Sequence, residues 1–398
     1  MTSRSPTPAL LALALGYFGL GTTSLAVVGL GEPIGRSLHV APAGVGLLVT
    51  VFALTFAVAA PTAPALLRTA DRKKVLLLGL ALLTVGGALG ALVQGYGAMV
   101  ATRVLGALGA AVFGPASSAA GAGIVAPERR PRALATVFGG MTAASVLGVP
   151  LASFLGSTLG WRPALLGVAG LSAVALVLVA VLVPGIPAGG PPTARAYRSA
   201  LRTPGVLPTV ATTLLFMAAQ FTVYGVAGTY LAVRFGASAG WVSGTLLAFG
   251  VVGVLGNALA PRIGEHLGGA RTVTLSLAGL GAALAALVVV PAEAVAGILL
   301  FAAWAFFSQM YQAPQQARLI GILPDHPGLV LALNAAALYL GMSLGSLLGS
   351  ALLAPVGATL VPGLALLLLL VAGGAHALSG RATAPTPVAA PAPAPLHS

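Results

Sequence analysis

The chain has 398 residues, 58% of them hydrophobic and only 6% charged, with a mean hydropathy of +1.03. A soluble domain carries about 25% charged residues, which excludes a water-soluble globular enzyme. The formal charge of +13 does not point to nucleic acid, because the basic residues are scattered between apolar runs instead of clustered on a polar scaffold. Zero cysteines exclude disulfides, thiol catalysis and thiolate-bound metals. The five His and six acidic residues show no metal-ligand spacing, so no metal or cofactor is expected.

A bilayer core takes about 20 apolar residues per helix. Cutting at charges, Pro/Gly clusters and polar turns gives twelve candidate spans: 8–30, 43–67, 75–93, 98–124, 132–156, 163–184, 206–232, 240–261, 272–290, 294–317, 328–354 and 358–378. The first apolar run continues to Leu30, too long for the core of a signal peptide, and reads as span 1. The spans are expected to cross a lipid bilayer.

Lys and Arg divide unevenly between the alternate loops. One side receives fifteen: Arg4, Arg68, Arg72, Lys73, Lys74, Arg129, Arg130, Arg132, Arg195, Arg198, Arg202, Arg262, Arg271, Arg318 and Arg381. The other receives Arg36, Arg162 and Arg234, and Arg103 falls inside span 4. The positive-inside rule then puts both termini in the cytoplasm and requires an even number of spans.

Residues 184–205 form the longest polar segment and divide the chain into two halves of six spans. The expected organisation is 1–185, an N-terminal half; 186–205, a cytoplasmic linker with a short amphipathic helix near 194–201; 206–380, a C-terminal half; and 381–398, a low-complexity, disordered tail.

Within 139–162, Gly148, Ala152, Gly156 and Gly160 recur every fourth residue around Pro150. Residues four apart share one helix face, so this is a smooth stripe. In lipid, such faces let two backbones approach closely. Shifting the sequence by 197 places Ala144, Gly148 and Ala152 on Gly341, Gly345 and Gly349 of span 11. Parallel six-span repeats of this kind are a transporter plan, and both stripes are expected where one half packs against the other.

The same stretches resemble a known family. Arg103-Val-Leu with Gly109-Ala-Ala, Pro131-Arg-Ala-Leu-Ala, GGMTAASVLGVPLASFLG followed by Gly160-Trp161-Arg162, LLAFGVVGVLGN and ALNAAALYLGMSLGSLLG resemble the major facilitator superfamily. Within it they are similar to the drug:proton antiporter-1, arabinose-efflux-permease-like group. The resemblance implies an all-α fold of twelve transmembrane helices in two pseudo-symmetric six-helix halves. It also implies a loop between spans 2 and 3 that locks the halves on the cytoplasmic side, here carried by Asp71 and Arg72. The leading Gly of that signature is replaced by Leu67. Positive-inside bias accounts for Arg68, Lys73 and Lys74 but leaves Asp71 unexplained.

The family's cavity is lined by spans 1, 4, 7 and 10, and these spans carry most of the buried-polar candidates here. They are Tyr17, Thr22 and Thr23 in span 1, Arg103 in span 4, Gln220 and Tyr224 in span 7, and Trp304, Ser308, Tyr311, Gln312 and Gln315 in span 10. Amides facing lipid would be unsatisfied, so they face a cavity or bond between helices. Arg103 is costly within a bilayer and is a functional candidate, with snorkelling to the headgroups as the alternative.

Proton antiport calls for a carboxylate whose proton moves as access changes, its pKa raised toward the working range by burial, yet all six acids lie at span ends or in loops. Glu32 is the candidate, either solvated and paired with Arg36 or approaching Arg103. The expected function is therefore secondary transport of a small organic solute by alternating access, with export and proton antiport implied by the resemblance. A facilitator or uptake carrier without proton coupling, and a non-transporting receptor or scaffold, are the alternatives. A monomer in a bacterial cytoplasmic membrane is expected, without enzymatic chemistry.

Overall fold

A computed structural model describes residues 6–67, 70–126, 129–186, 194–324 and 326–382. Arg4, Arg68, Glu128, Asp325, the Arg381 side chain, linker residues 187–193 and the tail from 383 lie outside the described residues. The described chain is all helical, with twelve helices long and apolar enough to cross a membrane. Spans 1 to 4 are Thr7–Leu38, Pro42–Leu66, Arg72–Leu92 and Tyr96–Gly123. Span 5 is Arg130–Ala143, a π turn at Ala144–Gly148 and Val149–Thr158, and span 6 is Trp161–Leu182. A linker helix, Ala194–Arg202, matches the expected amphipathic segment. Span 7 is Val206–Tyr224 with Ala227–Phe235, and spans 8 and 9 are Ala239–Leu267 and Gly269–Val289. Span 10 is Ala294–Met310 with Gln312–Ile322, and spans 11 and 12 are Pro327–Val356 and Val361–Ala382.

Local chemistry explains where the boundaries differ from those read in the sequence. Span 1 runs past Leu30 to Leu38 because polar residues there keep helical spacing, with Glu32 and Arg36 paired one turn apart. His39, in the left-handed region at φ 53, ends it. In span 5, Pro150 lacks an N–H and crowds the preceding turn, and the π turn just before it absorbs that defect. Gly160 at φ 95 makes the tight reversal into span 6, where a side chain would be strained.

The packing repeats itself. Span 1 packs on spans 5 and 6, as span 7 packs on spans 11 and 12. Span 3 packs on spans 4 and 6, as span 9 packs on spans 10 and 12; span 2 meets span 4, as span 8 meets span 10. Between the two sets of six, span 2 crosses span 11 and span 5 crosses span 8. Exposed Val174, Val177 and Val181 on span 6, with Leu367, Leu370 and Val371 on span 12, form outward apolar belts. Such continuous apolar exposure belongs against lipid.

The small-residue stripes are not where the halves meet. A Cβ built at Gly148 would overlap Thr22 Oγ1, and one at Gly156 would overlap Leu30 Cδ2, both on span 1. A Cβ at Gly341, Gly345 or Gly349 would overlap the carbonyl oxygen of Leu214, Ala218 or Thr222, all on span 7. Each stripe therefore seats its helix on the first span of its own set of six, with Pro150 and Ala152 buried alongside. Periodicity identified the smooth face; the neighbour it faces is set by topology.

Candidate functional site

The basic end of the bundle carries Arg72, Arg129, Arg195, Arg262, Arg271 and Arg318; the opposite end carries Arg36, Arg162 and Arg234. At that Arg-poor end the two sets of six are joined by small polar residues. Ser153 and Ser243 share a hydrogen bond of 2.8 Å between spans 5 and 8. Between spans 2 and 11, Ser346 donates to the Gly46 carbonyl at 2.9 Å and Ser343 to the Thr50 carbonyl at 3.1 Å. Ser350 lies against Gly46 so closely that a Cβ there would overlap it. Gly46 and Ser153 stand 197 positions before Ser243 and Ser350 respectively, the offset found between the stripes. The two crossings are thus the same contact made twice. Nearer the middle, Phe56 stacks on Tyr339 with ring centroids 3.7 Å apart.

Arg103 is only 6% exposed, so the structure turns it inward and not to the headgroups. Its Nη1 donates to the Thr23 carbonyl at 2.6 Å, Nη2 to the Ser24 carbonyl at 2.9 Å and Nε to the Leu48 carbonyl at 3.3 Å. The guanidinium lies 4.4 Å from the Phe52 ring centroid, a cation–π contact. Its partners are therefore span 1 and span 2 backbone, within the membrane-crossing length. Glu32 pairs with Arg36 and not with Arg103.

The remaining candidates fall into groups. Tyr17 donates to the Gly114 carbonyl at 2.9 Å, lies 3.0 Å from Ser118 Oγ, and packs on Phe113 and Phe138. Thr22 and Thr23 are buried with hydroxyls that lack a partner among the described residues. Tyr224, Phe249, Phe301 and Trp304 form an aromatic cluster in which the sealed Trp304 Nε1 has no acceptor among the described residues. The Gln220 amide, the Tyr224 hydroxyl and the Gln312 amide belong to the neighbouring turns of spans 7 and 10. Gln312 reaches the Met217 sulfur at 3.7 Å, and Gln220 is 7% exposed. Ser308 bonds locally to the Ala305 carbonyl at 3.2 Å. Tyr311 and Gln315 are fully buried and bonded to span 7: Tyr311 to Thr213 at 3.1 Å, Gln315 to the Thr209 carbonyl at 2.8 Å. These two make interhelical bonds, the alternative to a cavity position.

Asp71 and Arg72 act within the first six spans in this conformation. Asp71 is the N-cap of span 3, accepting from the Lys73 N–H at 2.7 Å. That capping bond supplies the reason for an acid among basic residues, which loop charge alone did not. Arg72 donates to the Ala119 carbonyl at 3.4 Å, near the end of span 4.

Sequence reasoning passed over the small polar residues of the crossings and the Arg318–His376 contact, at 3.0 Å. Ser153 and Ser243 carry no local signature, and only the 197-residue offset could have paired their positions. Arg318 and His376 are 58 residues apart on different spans.

Two parallel sets of six spans, paired identically and meeting through two equivalent crossings around buried polar groups, define a membrane transporter of the repeat type. The Major Facilitator Superfamily model matches residues 10–346, so the chain belongs to that superfamily and is a transporter, not an enzyme. It is similar to the inner membrane transport protein YdhP of Escherichia coli, 31% identical over 90% of this chain and 94% of that one. It is also 34% identical to a chloramphenicol resistance protein of Streptomyces lividans, over 61% of this chain and 62% of the other. In structure it resembles a bacterial homolog of the human lysosomal transporter Spinster, with a TM-score of 0.77 over 96% of this chain and 98% of that one at 15% identity. That likeness is one of fold.

Proposed function

We propose that the protein exports a small, neutral polar or amphipathic organic solute from a bacterial cytoplasm in exchange for protons. Residues 1–185 rock against 206–380, with both termini and the basic end in the cytoplasm, as positive-inside bias requires. The observation that carries this reading is the pair of equivalent crossings, Gly46 with Ser350 and Ser153 with Ser243, both at the Arg-poor end. Contacts that close one end and are built of small, weakly bonded residues suit a seam that opens and recloses. Gln220, Tyr224, Trp304 and Gln312, with Tyr17, Thr22, Thr23 and Arg103 opposite, supply the solute's polar and aromatic surroundings. Asp71 and Arg72 engage across the cytoplasmic mouth in the opposite conformation. The monomer suffices for this cycle.

The choice of solute class draws on the similarity to the chloramphenicol resistance protein. Purified protein in phosphatidylcholine proteoliposomes should move chloramphenicol against its gradient when an opposing pH gradient is imposed. Flux that ignores the pH gradient would leave a facilitator. Absence of flux for chloramphenicol and a broad solute panel would favour the receptor or scaffold reading.

The crossing itself is testable because the chain has no native cysteine. Ser153→Cys with Ser243→Cys replaces two hydroxyls 2.8 Å apart. Oxidation should cross-link the pair, and flux should stop and return on reduction. Flux unaffected by a verified cross-link would mean that this contact does not open during transport.

A further inference from the structure

A polar chain runs through the basic end of the last six spans and contains a titratable group that the transport reading leaves unused. His376 on span 12 sits between Thr274 of span 9 and Arg318 of span 10: Nε2 is 3.0 Å from Thr274 Oγ1, and Nδ1 is 3.0 Å from Arg318 Nη1. Arg318 also donates to Gln315 Oε1 at 3.0 Å and to Ser379 Oγ at 2.6 Å. Gln315 continues to the Thr209 carbonyl at 2.8 Å and to Thr213 at 3.4 Å, and Thr213 donates to Asn334 Oδ1 at 2.7 Å. Spans 9, 12, 10, 7 and 11 are thereby linked in one network.

The donors fix the protonation state of the histidine. An arginine guanidinium has donors and no acceptor, so His376 Nδ1 must accept from it. The ring is therefore neutral, with its proton on Nε2 and directed at Thr274 Oγ1. The Thr274 hydroxyl in turn donates to the Ala270 carbonyl at 3.2 Å. A second proton on the ring would land on Nδ1 and face an Arg318 N–H, donor against donor and cation against cation. Of the groups around the ring, Arg318 is the charged one in contact. Span 9 adds the Thr274 hydroxyl, the Ala270 carbonyl and, three positions earlier, the exposed Arg271. Spans 7 and 11, also packed on span 12, contain no Asp, Glu, Lys, Arg or His within Val206–Tyr224 and Leu329–Val356, and Arg381 follows on span 12 itself.

We infer that His376 is a proton-binding site whose charging displaces Arg318 and so releases the inner segment of span 10. That segment, Gln312–Ile322, is set off from the rest of the span by the break at Tyr311. Its polar anchors are Gln315 on span 7 and Arg318 on span 12, and its first residue, Gln312, lies against Met217 in the proposed cavity. A proton arriving from the aqueous phase at the basic end thus removes one anchor of a segment that reaches the solute site. This supplies a proton site for a chain with no acidic residue in the middle of a span, and it deepens the proton-antiport reading on which it rests.

The test uses full-length protein in phosphatidylcholine nanodiscs and needs no transported solute, so failure of the chloramphenicol reading leaves it readable. Protein labelled at the imidazole nitrogens should give a His376 signal, identified by its loss in His376→Gln. That signal should show an Nε2–H tautomer at high pH and gain the second ring proton as the pH is lowered. A second measurement places one thiol on the freed segment with Gln316→Cys, at a half-buried position of the cysteine-free chain. Maleimide labelling, corrected for thiol ionisation with a free thiol standard, should change with the same midpoint. In His376→Gln, which keeps an acceptor for Arg318 and a donor for Thr274 but cannot charge, the corrected rate should be independent of pH. His376→Asn serves if the glutamine variant does not fold. A labelling response that survives both substitutions, an Nδ1–H tautomer, or no titration of His376 would overturn the proposal.

Discussion

Gly345→Ala is expected to lower the thermal unfolding midpoint and abolish flux, an effect out of proportion to one methyl group. The added Cβ would overlap the Ala218 carbonyl, with the Ala218 carbonyl carbon 2.9 Å and its Cα 3.0 Å away. These are backbone atoms of span 7 and cannot rotate aside. Relief requires the two helices to separate along a seam in which Gly341 and Gly349 make the same contact one turn to either side, against Leu214 and Thr222. Forcing extra atoms into a packed interior costs about 1–3 kcal/mol, and a rigid partner puts this site at the upper end. The equivalent position in the other set of six is a control. At Gly148 the obstacle is the Thr22 side chain, whose hydroxyl can turn about χ1. Gly148→Ala should therefore be the milder change, and Gly148→Leu should be needed to stop transport. Unfolding followed by tryptophan fluorescence in nanodiscs separates the cases. Equal midpoints for wild type and Gly345→Ala would show that spans 7 and 11 are not seated on this carbonyl ladder.

The contrast between these two glycines also shows how far the sequence could be read. Charge spacing and apolar run length are local quantities, and they located the twelve spans, the linker helix and the uneven ends. Internal shift carried further: the offset that aligned Gly148 with Gly345 also aligns Gly46 with Ser243 and Ser153 with Ser350. A repeat therefore encodes contacts that no single segment displays. What periodicity could not supply was the identity of the neighbour. The stripes looked like the face between the two halves, whereas span 5 uses that face against span 1 and meets span 8 through adjacent positions such as Ser153. The contact between the basic ends of spans 10 and 12 escaped notice for a related reason. His376 looks peripheral by its place in the chain, yet topology brings it to Arg318 and into a network that reaches span 7.

Arg103→Met is expected to separate folding from transport: flux should fall by about tenfold or more, equivalent to ~1.4 kcal/mol on the transport barrier, with little change in the unfolding midpoint. Thr23 and Ser24 lie inside span 1 and Leu48 inside span 2, where each carbonyl also serves the N–H four residues on. Removing the guanidinium leaves none of them without a partner. Because each acceptor is shared with a helix N–H, each of these bonds is worth less than the about 1.5–3 kcal/mol of an unshared charge-assisted bond, and their loss is opposed by removing a cation whose placement inside a span costs ~2.5–3.5 kcal/mol on insertion scales. Methionine's flexible side chain can pack on Phe52 in place of the guanidinium. What it cannot do is hold spans 1, 2 and 4 in one register while that contact is broken and remade. Lysine keeps the charge as a compact ammonium without the planar fork that serves three carbonyls on two helices. Arg103→Lys should therefore recover part of the flux. Normal flux in Arg103→Met would reduce the residue to a structural tie. A large drop in its unfolding midpoint would instead mean that the three backbone bonds outweigh the cost of burying the charge.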